Sequence, residues 1–147
     1  MIFVTGSAGF IASNFILKYL TKFDEKVLGI DKLTYASNIP LLKNLKKNKN
    51  FIFHQLDINN SKEIEGLIEK YKPKKIINFA AESHVDKSIS NADSFIETNI
   101  LGTYNLLKCL RNFQDKYSLH DKINDFIFLH VSTDEVFGSL QEKESAS

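Results

Sequence analysis

Five short runs in this sequence are apolar with almost no polar alternation: Ile2-Phe3-Val4, Val27-Leu28-Gly29-Ile30, Phe51-Ile52-Phe53, Ile76-Ile77-Asn78-Phe79-Ala80 and residues 125 to 131. A strand with one solvated face alternates, whereas a strand covered on both faces reads as a continuous apolar run. Helical spacing fills the gaps. Ile11, Phe15 and Tyr19, with Ala12, Ile16 and Leu20, follow the first run; Ile39, Leu42 and Leu45 follow the second; Ile64, Leu67, Ile68 and Tyr71 follow the third. A long helix is expected from about Ala92 to Phe113, and residues 115 to 124 read as a polar loop. Strands alternating with helices give a parallel sheet between two helical layers, and right-handed crossovers leave few topologies. The expected fold is α/β: a doubly wound, Rossmann-like parallel sheet in the order 3-2-1-4-5, reaching its fifth strand near the end of the sequence.

Composition bounds the function. The 147 residues fit one domain, and 43% hydrophobic with 25% charged content is that of a globular chain. A net charge of +1 gives no reason to expect nucleic acid. No apolar run approaches the ~20 residues of a membrane span, and the N-terminus has no signal-peptide pattern. Cys109 is the only cysteine, so no intrachain disulfide is available; that suits a reducing, cytoplasmic setting. His54, His120 and His130 have no metal-ligand spacing, and no metal is expected. Asn59-Asn60-Ser61 fits a glycosylation pattern but reads as a helix cap.

Ligands in such sheets bind beyond the carboxyl ends of the strands. The first strand ends in Gly6-x-x-Gly9-x-x-Ala12. Gly6 permits a tight turn, Gly9 lets a pyrophosphate approach the helix N-terminus, and Ala12 occupies a position that allows close helix–strand packing. Asp31 ends the second strand, where an acid accepts hydrogen bonds from the adenosine ribose and repels a 2′-phosphate, favouring NAD over NADP. Lys32 follows it and is chemically able to bind that phosphate. Asp57 ends the third strand, either beside the adenine or as a helix cap. Near the end of the chain stand Thr133, Asp134 and Glu135, which are either acid–base equipment or a solvated loop pair. Neighbouring side chains of a strand point to opposite faces, so two acids serve one site only if the strand stops at about Thr133 and the backbone turns.

Taken together, "TGSAGFIAS", "DKLTYASN", "FAAESHVDKSI", "ETNILGTYNLL" and "HVSTDEVFGSL" resemble the extended short-chain dehydrogenase/reductases, and within them the dTDP-glucose 4,6-dehydratases. The resemblance runs through nearly the whole chain. It implies an NAD-dependent hydro-lyase acting on a nucleotide-activated hexose, dTDP-glucose, by oxidation at carbon 4, loss of water across carbons 5 and 6, and return of hydride to carbon 6. On this sequence Glu135 would take the carbon 5 proton, Asp134 would protonate the leaving hydroxyl, and Thr133 would hold the sugar. Phe10, Ile11, Asp31, Lys32, Leu33, Thr34, Asp57, Ile58, Phe79, Ala80, Ala81, Glu82, Ser83 and Thr98 would line the NAD site with the glycine turn, Ser83 also touching the sugar. His84 would lie near the cofactor.

The resembled family also carries a Tyr-x-x-x-Lys pair after this point. Tyr71/Lys75 and Tyr104/Lys108 match that spacing but lie on the wrong helices. Phe137 stands where the family usually has Tyr. The chain is therefore expected to be the N-terminal, cofactor-binding part of an enzyme, with the substrate-binding part beyond it. By itself it would bind NAD weakly or not at all and would not turn over dTDP-glucose. The long helix resembles the family's dimer helix, so a homodimer is expected of the full-length protein. Two alternatives remain: a sugar-nucleotide epimerase of the same fold, against which Asp134-Glu135 argues, and a non-catalytic NAD-binding module.

Overall fold

A computed structural model describes residues 1–84, 91–117 and 126–138. Five parallel strands form one sheet: β1 (Ile2–Thr5), β2 (Val27–Asp31), β3 (Phe51–Gln55), β4 (Lys75–Asn78) and β5 (Ile127–His130). Their order is β3-β2-β1-β4-β5, as expected. Central β1 is paired on both sides, Val4 lying between Gly29 and Ile77. The alternation of side chains along β1 then divides the core. Ile2 and Val4 join one apolar cluster with Ala12, Ile16, Leu42 and Leu45, from α1 (Phe10–Lys22) and α2 (Ile39–Leu45). Phe3 enters the opposite cluster with Ile64 and Ile68 of α3 (Ser61–Tyr71) and Leu106, Leu110 and Phe113. A residue buried on either face explains why these runs do not alternate.

Local chemistry sets the helix ends. Asn38 caps α2 by accepting from the Leu41 N–H at 3.1 Å, with Pro40 in the first turn. Asn60 caps α3 through Glu63, and the Glu63 carboxylate accepts from Asn60 Nδ2 at 2.6 Å, so the expected cap in Asn59-Asn60-Ser61 forms. Lys72 closes α3 in the left-handed conformation, one residue before Pro73.

The long helix departs from expectation in two ways. It begins as α4 (Ala92–Phe95), widens into a π-helical segment (Ile96–Gly102), and resumes as α5 (Thr103–Tyr117). It therefore runs past Phe113, and residues 115 to 117 are helical rather than loop, Phe113 and Tyr117 pairing their rings at 4.7 Å. The rest of the expected loop, with His120, lies outside the described residues. Gly102 lets the helix approach the strand ends: a Cβ there would stand 2.4 Å from Cδ1 of Ile58.

At the far end of the sheet the Met1 ammonium contacts Glu25 Oε1 at 2.6 Å, and the Tyr19 hydroxyl donates to the same carboxylate. The ammonium bond, then the Tyr19 bond, hold Glu25 below its ordinary 4.5. A carboxylate depressed in the folded state stabilises the fold above its ordinary value and loses that contribution as pH falls through the depressed one. Because the side chain is 34% exposed, Glu25→Gln is expected to cost only about 0.5–1 kcal/mol at neutral pH. The difference should vanish in acid, as read by urea unfolding of both chains across pH.

Candidate functional site: the cleft at the strand ends

Gly6 turns the chain out of β1 with φ +63°, and a Cβ there would meet the Ala80 backbone N at 2.8 Å. Only a glycine lets this turn sit against the segment leaving β4. Gly9 then caps α1 without a side chain, and the first turn of α1 holds no acid. The opening N–H groups of a helix have no partner within it. Here neither a capping side chain nor a carboxylate competes for the positive end of the dipole, which leaves it to an outside anion.

Asp31 binds both neighbouring turns. Oδ2 accepts from the Ala8 N–H at 3.0 Å, while Oδ1 accepts from the Leu33 N–H at 2.8 Å and the Ser37 hydroxyl at 3.3 Å. A carboxylate offers about four lone-pair sites, so this one retains room for about one further donor. Leu33 is held at φ +61° by that bond. Lys32 points across the opening: Nζ donates to Thr98 Oγ1 at 3.1 Å and lies 3.4 Å from Glu82 Oε1. Glu82 is in turn fixed by Asn99, which accepts from its N–H at 2.8 Å and donates to its C=O at 2.9 Å.

Beneath the opening the strands are tied by side chains. Buried Thr5 donates to Asn78 Oδ1 and accepts from the Ala80 N–H at 3.3 Å. Ala80 thereby leaves the ladder, so β4 ends at Asn78 and not at Ala80. Asn78 Nδ2 meets His130 Nδ1 at 3.0 Å, joining the ends of β4 and β5.

These elements line an open cleft beyond the carboxyl ends of the strands, where ligands bind in sheets of this topology. Of the expected residues, Gly6, Gly9, Asp31, Lys32, Thr34, Asp57, Ile58, Phe79, Ala80, Ala81, Glu82, Ser83 and Thr98 line it. Phe10 and Ile11 are 74% and 64% exposed; as the first residues of α1 they bring backbone N–H groups to the turn. Ala12 is buried in the core against β1, and Leu33 turns towards the same cluster. Asp57 accepts from the Asn59 N–H at 2.9 Å, while the cap of α3 is Asn60. Tyr35, Ala36 and Ser37, within the "DKLTYASN" stretch but not among the expected site residues, also line the cleft, with Tyr35 beside the His84 ring at 5.6 Å.

The acidic stretch sits apart. β5 ends at His130 and Asp134–Phe137 form a 3-10 helix, so the strand has stopped and the backbone has turned before the two acids, as a shared site requires. Thr133 and Asp134 are exposed, 3.2 Å apart through Thr133 Oγ1, and do not line the cleft. The side chain of Glu135, residues 85 to 90 of the "ESHVDKSI" stretch, and Ser139 and Leu140 lie outside the described residues. Tyr71 and Tyr104 also stand away from the cleft.

A glycine turn, a ribose-level acid and a parallel sheet in this order fit a dinucleotide, and similarity to known proteins narrows the family. The family model described as GDP-mannose 4,6 dehydratase matches residues 3–146. The chain belongs to this family. Among curated relatives of this 4,6-dehydratase family, the dTDP-glucose 4,6-dehydratase of Haemophilus influenzae is 44% identical over 99% of the chain and 43% of its own length. Dehydratase 1 of Escherichia coli is 39% identical over 99% of the chain and 40% of its own length. The chain thus spans about two fifths of the relatives it matches. The Bacillus anthracis dTDP-glucose 4,6-dehydratase, solved in complex with NAD, superposes with a TM-score of 0.79 at 34% identity, covering 99% of this chain and 41% of that one. The Streptomyces venezuelae enzyme, also with NAD, gives 0.81 at 33%, covering 98% and 42%. A Thermus thermophilus UDP-glucose 4-epimerase shares the fold, TM-score 0.77, at 24% identity. Fold alone therefore does not separate the two reactions. Among the described residues, no helix is long and apolar enough to cross a membrane.

Proposed function

We propose that the cleft binds NAD and that the whole protein is a dTDP-glucose 4,6-dehydratase. The carrying observation is the joint construction of the cleft: an α1 N-terminus with no side-chain cap and no acid in its first turn, beside Asp31, which lines the cleft and accepts three hydrogen bonds out of about four a carboxylate can take. Bound NAD would supply the acceptor and donor of hydride. Gly6, Gly9 and the first-turn N–H groups of α1 would hold its pyrophosphate. Asp31 would take a ribose hydroxyl, and Ser83 would face the sugar. Thr133 would position the hexose, Asp134 would hold the proton given to the leaving hydroxyl, and Glu135 would take the carbon 5 proton. Paired acids with opposed protonation states suit an elimination. That Asp-Glu pair favours dehydration over epimerisation on the same fold. Ile96, Ile100 and Tyr104 form an exposed apolar stripe at helical spacing, which supports a homodimer of the full-length protein.

The isolated 147-residue chain is expected to bind NAD with a Kd of about 1 mM or weaker, and Asp31→Ala to weaken it about tenfold further, by NMR titration. It is also expected to form no 4-keto-6-deoxy product from dTDP-glucose. Saturation by NADP in preference to NAD would overturn the cofactor assignment, and turnover by this chain alone would overturn the division of labour.

A further inference from the structure

Lys32 is an ambiguous residue for a site that takes NAD. It follows Asp31 at the end of β2, where the adenosine ribose of a dinucleotide lies in this fold. A cation at that level is also what accommodates a 2′-phosphate. Two adjacent residues of opposite charge thus point to opposite cofactors.

The structure separates their roles. The Lys32 ammonium is drawn across the cleft, 3.1 Å from Thr98 Oγ1 and 3.4 Å from Glu82 Oε1. Its anchor is not a loose surface acid. The Glu82 side chain is only 14% exposed, and its backbone is held at both N–H and C=O by Asn99. Thr98 and Asn99 are successive residues of the π segment, so one local widening of the helix supplies both the hydroxyl for Lys32 and the clamp for Glu82. Gly102 seats that segment against Ile58 of the cleft wall. The Lys32 main chain is held as well, with Gln55 Nε2 donating to its backbone carbonyl at 3.4 Å.

We propose that Glu82 sets cofactor choice by holding Lys32: paired across the cleft, the ammonium is withheld from a 2′-phosphate, and Asp31 is left to repel it. Glu82 is here a positioning residue acting through Lys32. The inference rests on the reading of the cleft as a dinucleotide site and adds to it the group that enforces NAD over NADP. Charge bookkeeping gives the direction. With Glu82 ionised the ribose level carries two acids and one base; with Glu82 neutral it carries one of each, and the base is free to turn towards the phosphate.

The test is a pair of NMR titrations, NAD and NADP, on the full-length protein as wild type and as Glu82→Gln, Glu82→Asp and the double variant Lys32→Met/Glu82→Gln. Glu82→Gln is expected to raise NADP affinity relative to NAD about tenfold at low salt, where charge interactions are least screened. Glu82→Asp should restore the wild-type ratio, and the double variant should lose the gain. An unchanged ratio in Glu82→Gln, or a gain that survives Lys32→Met, would overturn the proposal while leaving NAD binding intact. Absence of NAD binding in every chain would instead overturn the cofactor reading, and this proposal with it. A wild-type measurement guards against an unfolded variant: the Lys32 ammonium resonance should respond alike to NAD and NADP, and a selective response to NADP would overturn the proposal.

Discussion

Gly6→Ala is expected to destabilise the chain by about 2–5 kcal/mol. An L-residue in the left-handed region costs about 1–2 kcal/mol. The new methyl would also stand 2.8–2.9 Å from backbone atoms of Phe79 and Ala80, and forcing extra volume into a packed site costs about 1–3 kcal/mol more. Backbone cannot rotate away as a side-chain tip can. With a urea slope of about 2 kcal/mol/M, the midpoint should fall by roughly 1–2.5 M. Gly9→Ala is the control within the same motif. Gly9 has φ −67°, and its Cβ would meet only the Gly6 carbonyl at 3.1 Å, so its cost should stay near or below 1 kcal/mol while NAD binding falls. Equal costs at the two positions would mean that the turn does not press on the end of β4.

Asn78→Leu should cost about 2–4 kcal/mol. Asn78 and Thr5 are both fully buried, and Asn78 is the acceptor for the Thr5 hydroxyl. Removing one partner leaves a buried donor unsatisfied, at about 1–3 kcal/mol. The tie to His130 is lost with it, though exposed His130 finds water instead. The decisive measurement is a double-mutant cycle with Thr5→Val. Deleting both ends of a buried hydrogen bond is far less costly than deleting one, so the double variant should be more stable than the sum of the singles by at least about 1 kcal/mol. Strict additivity would show that the two side chains do not act as a pair.

How far these features were visible beforehand depended on the range of the interaction. The five strands and their order were legible because Ile2 to Val4, Val27 to Ile30 and Phe51 to Phe53 write burial on both faces directly into local composition. Gly6 and Asp31 were legible because strand ends are where this topology binds ligands. The partner of Lys32 was not: Glu82 lies 50 positions away, and nothing local separates a lysine committed to an ion pair from one open to phosphate. Nor was the π segment, since Phe95, Asn99 and Thr103 keep the same four-residue spacing in an unbroken α-helix. Phe10 and Ile11 turn their side chains to solvent, and as the first residues of α1 they bring main-chain N–H groups to the glycine turn. Thr133 and Asp134 lie beyond β5 and do not line the cleft of Gly6 and Asp31; their roles rest on the family pattern and on the acid–base chemistry of adjacent carboxyls.

Asp31 also carries a consequence for the order of assembly. It fastens the turn after β1 to the turn after β2 across only 23 residues, and short loops close at little entropic cost. The opposite wall is fastened by Lys32 to Thr98 and Thr5 to Asn78, across 66 and 73 residues. Contacts so far apart in sequence form slowly. During synthesis the wall fastened by Asp31 should therefore stand ready soon after β3 has emerged, while the wall fastened by Lys32 and Thr5 waits for β4 and the π segment: one wall is built early, and the other closes the cleft late.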